Sequence, residues 1–254
     1  MMRKLLIIGI GAGNPEHLTV QAVNALNQVD VFFIQNKGDE KEALHKLRMD
    51  ICDRYIDGTD HRYVDVPVPE RAKIFSDYRE TVDDWHEKIR ANYEALLSNE
   101  LADGECGAFL VWGDPAFYDS TIRIIEKLHA KWPLFDYEVI PGISAIQVLA
   151  SAHRIPLNRI GKPVTITTGR KLTEGFPDNA DSVVVVLDGE QTFNRFGGQN
   201  LYIYWGAYLG AANEVLISGK LDDVMDEIET VRAREREKNG WIMDTYLLQM
   251  PAEE

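Results

Sequence analysis

The apolar run Ala108 to Trp112, stopped at once by Gly113, Asp114 and Pro115, restricts the fold of this chain more than any other stretch. A short apolar run without alternation reads as a strand covered on both faces, which belongs in a mostly parallel sheet flanked by helices. Gly-Asp-Pro ends such a strand for three reasons: glycine lets a ligand approach the backbone, aspartate supplies fixed negative charge, and proline removes a donor. Asp119, Ser120 or Thr121 is then placed to cap an amphipathic helix carrying Ile122, Ile125 and Leu128. Ligands of open α/β sheets sit beyond the carboxyl ends of the strands, so a cofactor site belongs here, although Gly-Asp-Pro is also ordinary turn chemistry.

The chain begins in the same idiom. Lys4 to Gly9 reads as a strand, followed by Gly9, Gly11 and Gly13, and Leu18-Thr19 opens a helix to Asn27. This invites a dinucleotide reading, but Asn14 stands where the last glycine of Gly-x-Gly-x-x-Gly belongs. The acidic partner fails too, because Asp30 precedes the strand Val31 to Ile34 and so lies at its wrong end to hold a ribose. A close-approach loop lining a substrate cleft is the better reading.

Between Asn36 and Gly104 two helical stripes enclose a short strand: Leu44, Leu47, Ile51 and Tyr55, then Val82, Trp85, Ile89, Tyr93 and Leu96. Tyr63 to Val68 alternates, with Pro67 and Pro69 marking an edge, and the charged stretch Glu70 to Glu80 reads as a solvated helix face or loop. His17, His45, His61, His86 and His129 lack metal-ligand spacing and read as structural or exposed. After the Asp114 strand and its helix, Tyr137 to Ile140 forms another strand, and Pro141-Gly142-Ile143-Ser144-Ala145 turns it into a helix, a second strand end suited to the same crevice.

Pro156 and Gly161 in HRIPLNRIG, residues 153–161, mark a break that reads as the passage between domains. Beyond it the rhythm changes to the strands Val164–Thr167, Ser182–Leu187, Leu201–Trp205, Val215–Ser218 and Trp241–Gln249. Only Leu221–Lys238 and a segment near Phe193 look helical there, so a mixed sheet is expected. Arg154, Arg159, Arg170, Lys171 and Arg195 lie in its turns, and Arg232 to Lys238 alternates sign as a solvated face does.

Composition excludes several classes. A formal charge of −14 over 254 residues works against binding nucleic acid or anionic lipid. The apolar run Leu5 to Ile10 is too short to span a membrane and lacks a cleavage pattern, which points to a cytoplasmic protein. Cys52 and Cys106 form no metal-ligand pattern, so no metal site is expected.

Four stretches in order, GIGAGNPEHLT, VWGDPAFYDST, IPGISA and DTYLLQ, resemble the tetrapyrrole (corrin/porphyrin) methylase family. The resemblance implies two unlike α/β domains, 1–143 with a mostly parallel sheet and 144–254 with a mixed one. S-adenosylmethionine would sit in the cleft between them and leave as S-adenosylhomocysteine. It also implies a homodimer. By position it assigns cofactor contacts to Gly113, Asp114, Phe117, Ser144, Ala145, Leu187, Tyr208 of the Ala207-Tyr208 stretch, and Thr245. The first glycine loop, Gly11, Gly13 and Asn14, would face the tetrapyrrole, whose carboxylates a basic rim of Arg154, Arg159, Arg170, Lys171 and Arg195 would receive.

The longer phrases VWGDPAFYDST, HRIPLNRIG, TTGRKL, VVVVLDG and YWGAYLG resemble the deacetylating members, which methylate precorrin-5 of cobalamin synthesis and release acetate. Methyl transfer itself requires no metal or nucleophilic serine. Acetate loss adds water attack at an acyl carbon and a proton to be moved, for which His153 and Asp188 are candidates by location. The alternatives are another precorrin methyltransferase of the same fold, or a non-catalytic module that binds cofactor or tetrapyrrole.

Overall fold

A computed structural model describes residues 2–36, 42–67 and 78–251. Val68, Pro69 and residues 70–77 of the charged stretch lie outside them, as does the side chain of Val82. By contacts the chain divides into two units: Met1–Gly11 with Pro15–Ile143, and Ala12–Asn14 with Ser144–Glu254.

The first unit alternates strand and helix: β1 (Arg3–Gly9), α1 (Val20–Leu26), β2 (Val31–Asn36), α2 (Glu42–Tyr55), β3 (Arg62–Pro67), α3 (Tyr78–Asn99), β4 (Cys106–Val111), α4 (Thr121–Lys131) and β5 (Phe135–Ile140). The five strands are parallel in the order β3-β2-β4-β1-β5. All six residues of β4 are buried, as a central strand covered on both faces requires. Apolar residues of α1 and α2 join one buried cluster, with Leu6, Ile8 and Leu110 of the sheet. Those of α3 and α4 join another, with Ile7, Phe33 and Phe109. Thr19 rather than Leu18 starts α1, its hydroxyl accepting the Ala22 N–H at 3.0 Å.

Connections after β1 and β2 run toward one edge, and those after β4 run toward the other. The topological switch therefore falls between β2 and β4, and there the two strands part. They pair only through Val31–Phe33 and Gly107–Phe109, leaving Leu110 beyond the ladder. Arg48 of α2 fills the gap, its Nε donating to the Leu110 carbonyl at 3.1 Å. That side chain is only 9% exposed, and burial lowers its pKa while Asp119 and Tyr93 act in the opposite direction.

The second unit comprises α5 (Ala145–His153), β6 (Val164–Thr168), α6 (Gly169–Leu172), β7 (Ser182–Val186), a 3-10 turn (Thr192–Phe196), β8 (Tyr202–Ala207), β9 (Val215–Lys220), α7 (Leu221–Asn239) and β10 (Asp244–Gln249). Its sheet has the order β6-β7-β10-β8-β9 and is mixed, since only β6 and β7 are parallel. Val183, Val185, Ile203, Trp205 and Tyr246 pack one face against Leu172, Phe193 and α7.

Three expectations need correction. HRIPLNRIG is internal to the second unit, where Arg159 donates to the carbonyls of Met250 and Pro251; a proline and a glycine can break a helix without ending a unit. Gly169–Leu172 is a helical turn capped by Thr168, whose hydroxyl accepts the Lys171 N–H. Arg232 is not solvated: it is 6% exposed, with Nε 2.9 Å from Asp244 Oδ2 and Nη2 donating to the Asp188 carbonyl at 3.0 Å. The buried carboxylate of Asp244 also accepts the Trp205 indole N–H at 2.9 Å, so α7 buries Arg232, and Glu235 with it, where charge alternation alone reads as surface.

Candidate functional site

In the first unit the strand-end loops of β1, β4 and β5 meet at the carboxyl edge of the sheet. Gly11 and Gly113 exchange backbone hydrogen bonds of 3.2 and 2.8 Å. Both have positive φ, +79° and +72°, where a side chain is strained. Gly142 packs so closely that a Cβ would lie 2.1 Å from the Gly113 carbonyl oxygen. Asp114 binds two of these loops together: Oδ1 accepts the Ala116 N–H and Oδ2 the Gly142 N–H, each at 2.8 Å.

Both carboxylate oxygens of Asp114, to which the resemblance assigns a cofactor contact, thus hold backbone donors and fix the shape of the site. Phe117 stands 41% exposed beside this clamp. Asp30 is just as firmly structural at the amino end of β4, accepting the Cys106 N–H at 2.8 Å, so it has no part in ligand binding at the carboxyl edge.

The other assigned cofactor residues lie in the second unit. Ser144 is buried at the start of α5, its backbone N–H donating to Gln147 Oε1 at 2.8 Å and its hydroxyl bonded to the same oxygen, with Ala145 next to it as the first helical residue. Leu187 and Tyr208 follow β7 and β8 directly and share an uncommon positive φ, +54° and +51°. Thr245 is buried beside them as the second residue of β10, paired with Gly206. Because β10 runs antiparallel to both β7 and β8, all three residues gather at one end of the sheet. Leu187 is 54% exposed there, an apolar side chain left facing solvent by a strained turn, whereas the Tyr208 hydroxyl is held by the Trp241 carbonyl at 2.6 Å.

Of the glycine-loop residues, Gly11 belongs to the first unit, while Gly13 and Asn14 cluster with the second; a Cβ on Gly13 would lie 2.7 Å from the Leu209 carbonyl oxygen. The five basic residues do not form one rim. Arg170 and Lys171 on α6 and Arg195, which donates to the Thr173 carbonyl at 3.4 Å, stand together near the end carrying Leu187. Arg159 is bound to carbonyls just past the end of β10, which the antiparallel pairing puts at the opposite edge. Arg154 occupies the left-handed C-cap of α5, with φ +57°. Lys171 also pairs with Glu174.

The two candidate bases fare differently from their assignment. Asp188 is 5% exposed, and its carboxylate accepts the Thr192 N–H at 2.6 Å, the Tyr246 hydroxyl at 2.6 Å and the Glu190 N–H at 3.1 Å. A carboxylate holding that many donors organises the 188–192 turn. The same contacts push the Tyr246 hydroxyl far up from its usual range, burial being the largest cause. His153 has Nε2 3.0 Å from the Trp205 carbonyl, so Nε2 carries a proton and donates it, and the ring packs edge-on against Tyr204.

One pairing escaped the sequence. His86 of α3 has Nε2 3.0 Å from the Ser120 hydroxyl, across 34 residues of chain that give no spacing signal. Arg48 escaped as well, since a helical stripe predicts the apolar side of α2 and not a cation on it.

Comparison with known proteins accords with this architecture. The description of the Tetrapyrrole (Corrin/Porphyrin) Methylases matches residues 4–225. A precorrin-6A synthase [deacetylating] from Sinorhizobium sp is 55% identical over 253 residues, 99% of this chain and 97% of that one. The crystal structure of a putative cobalamin synthesis related protein (CobF) from Corynebacterium diphtheriae superposes with a TM-score of 0.83 at 37% identity, covering 98% of this chain and 99% of the other. A uroporphyrin-III C-methyl transferase from Thermus thermophilus, complexed with S-adenyl homocysteine, shares the fold at a TM-score of 0.57 and 16% identity, over 97% of each chain. With a family match over most of its length and two near-full-length relatives above 30% identity, the chain belongs to the tetrapyrrole (corrin/porphyrin) methylases.

Proposed function

We propose that this chain is an S-adenosylmethionine-dependent C-methyltransferase of corrin synthesis, which methylates precorrin-5 and releases acetate to give precorrin-6A. The observation that carries the reading is the 55% identity to a deacetylating precorrin-6A synthase over 99% of this chain and 97% of the other. Matches to other precorrin methyltransferases are weaker and shorter, as with the 32% identity over 61% of this chain to a C(20)-methyltransferase.

When bound, S-adenosylmethionine supplies an activated methyl group on a sulfonium. The residues present fit such a group. Gly142 packs against Gly113 and Gly9 with no room for a Cβ, and the Asp114 clamp fixes the loops, so the site's backbone is held in place before any ligand arrives. Phe117 offers uncovered apolar surface of the sort an adenine ring needs. Because the methyl donor is already reactive, these residues position and exclude water rather than activate. Arg170, Lys171 and Arg195 supply the local positive charge a polycarboxylate needs against a chain of net charge −14. We further infer a cytoplasmic homodimer.

Calorimetry with S-adenosylhomocysteine and an assay of methyl transfer to precorrin-5 test the reading, and failure of both would refute it. Asp114→Ala removes acceptors for two backbone N–H groups, each charge-assisted bond contributing about 1.5–3 kcal/mol, so cofactor affinity should fall at least about tenfold. Asp30→Ala should lower stability and leave that affinity intact; equal losses of affinity would restore the dinucleotide-type reading.

A further inference from the structure

We propose that Ser120 and His86 form a nucleophile–base pair that removes the two-carbon acyl group, an assignment that rests on the deacetylating reading above. The distance between the Ser120 hydroxyl and His86 Nε2, 3.0 Å, is that of an activated hydroxyl and its base. Position alone would give Ser120 a different task. It precedes α4 directly, where a serine ordinarily caps the helix through its side chain, yet its hydroxyl makes no cap bond. Asp119 takes that duty, with Oδ1 accepting the Thr121 N–H at 2.7 Å, and this releases the Ser120 hydroxyl to His86.

The Ser120 side of the pair also has somewhere to work. Ser120 lines a cavity of about 170 Å³ walled by Trp85, Ile89, Tyr93, Tyr118 and Ile124. A water molecule occupies about 30 Å³ of liquid, so the cavity has room for an acetyl arm, whose methyl group can lie against the aromatic side chains and whose carbonyl meets the polar lining of Asp119, Ser120 and Thr121. Its lining joins Val66 and Pro67, at the carboxyl end of β3, to Tyr118, Asp119 and Ser120 of the loop that follows β4. Of the two bases assigned from sequence, by contrast, His153 donates to a backbone carbonyl and Asp188 accepts from buried donors.

The chemistry balances with water alone as co-reactant. Ser120 Oγ attacks the acyl carbonyl carbon while His86 Nε2 takes the hydroxyl proton. The carbon–carbon bond to the macrocycle breaks, and its electron pair stays on the ring carbon, which takes up the proton held by His86, or takes the methyl group while His86 gives its proton to solvent; either way the imidazole is neutral again. Water then attacks the seryl ester, passing a proton to His86. The ester bond breaks as Ser120 Oγ recovers a proton from His86, and acetate leaves.

The test measures acetate released from precorrin-5 by the full-length protein and by Ser120→Ala, His86→Ala and His86→Gln, with thermal unfolding and S-adenosylhomocysteine binding recorded for each. Removing a base or nucleophile should slow acetate release at least about a hundredfold. Added imidazole should restore release to His86→Ala and not to Ser120→Ala, a rescue no packing role would show. Wild-type acetate release by Ser120→Ala or by either His86 variant overturns the assignment. So does loss of folding or of S-adenosylhomocysteine binding in step with activity, or absence of rescue. A wild-type protein that neither methylates nor deacetylates precorrin-5 would instead refute the functional reading, and this pair's role with it.

Discussion

Arg48 shows how one side chain completes a sheet that its own strands leave unfinished. β2 and β4 part after Phe33 and Phe109, and the Leu110 carbonyl would stay buried without a donor if α2 did not send a guanidinium across. Arg48→Met keeps the apolar stem and removes the donor, so the carbonyl is left unsatisfied and unfolding should become easier by about 1–3 kcal/mol. Urea unfolding of the two proteins with equal m-values would measure this, and a difference below 0.5 kcal/mol, the ordinary scale for surface changes, would refute it. At this scale the sequence was legible where residue type alone decides. Gly113 and Gly142 stand where the backbone approaches itself, and Asp114 stands at a strand end. It was not legible where the decision depends on partners distant in the chain. Asp188 and Asp114 are both turn aspartates, and only the tertiary donors reveal that each carboxylate is already engaged. Ser120 and His86 are invisible for the same reason, because no periodicity connects a residue of α3 with one that precedes α4.

Elements were read more securely than sites, since burial on one or two faces writes itself into the order of residues. β4, buried throughout, and the α2 and α3 stripes follow from that rule. The change from parallel to mixed sheet followed from the scarcity of helices after residue 160. What failed was α7, whose alternating charges conceal an inward Arg232. Burial raises the pKa of Asp244 and Arg232 opposes it, so removing the arginine leaves a buried carboxylate unpaired. Arg232→Met should therefore cost about 3–5 kcal/mol, whereas breaking the exposed Lys46–Asp50 pair should cost at most about 1 kcal/mol. Chemical unfolding of each variant distinguishes these figures.

The edge strand β3 is secured differently, by Arg62 donating to both carboxylate oxygens of Glu105 at 2.8 Å. This hydrogen bonding, chiefly from Arg62 and then from the Ala102 N–H, holds Glu105 down at about 2. A carboxyl depressed on folding stabilises above its unfolded value, 4.5, and that contribution disappears as pH falls from there through about 2. In a carboxyl-carbon NMR titration, Glu105 should have its midpoint near 2, moving toward 4.5 in Arg62→Met. An unchanged midpoint in the variant would show that the pair does not form in solution.

For the whole molecule, the homodimer inferred from family membership is tested by light scattering at micromolar concentration. A mass near twice 28.8 kDa is expected, and one near 28.8 kDa would refute it. A different consequence follows from the path of the backbone. The chain visits the second unit twice, for three residues at Ala12–Asn14 and again from Ser144 onward. The first visit is a close fit, with no room for a Cβ at Gly13 against Leu209–Ala211. A gene divided at the boundary between Ile143 and Ser144 would thus encode two fragments of which the second lacks part of its own packing. The two halves are not interchangeable modules: swapping the second one between relatives has to carry the tripeptide from the beginning of the chain along with it.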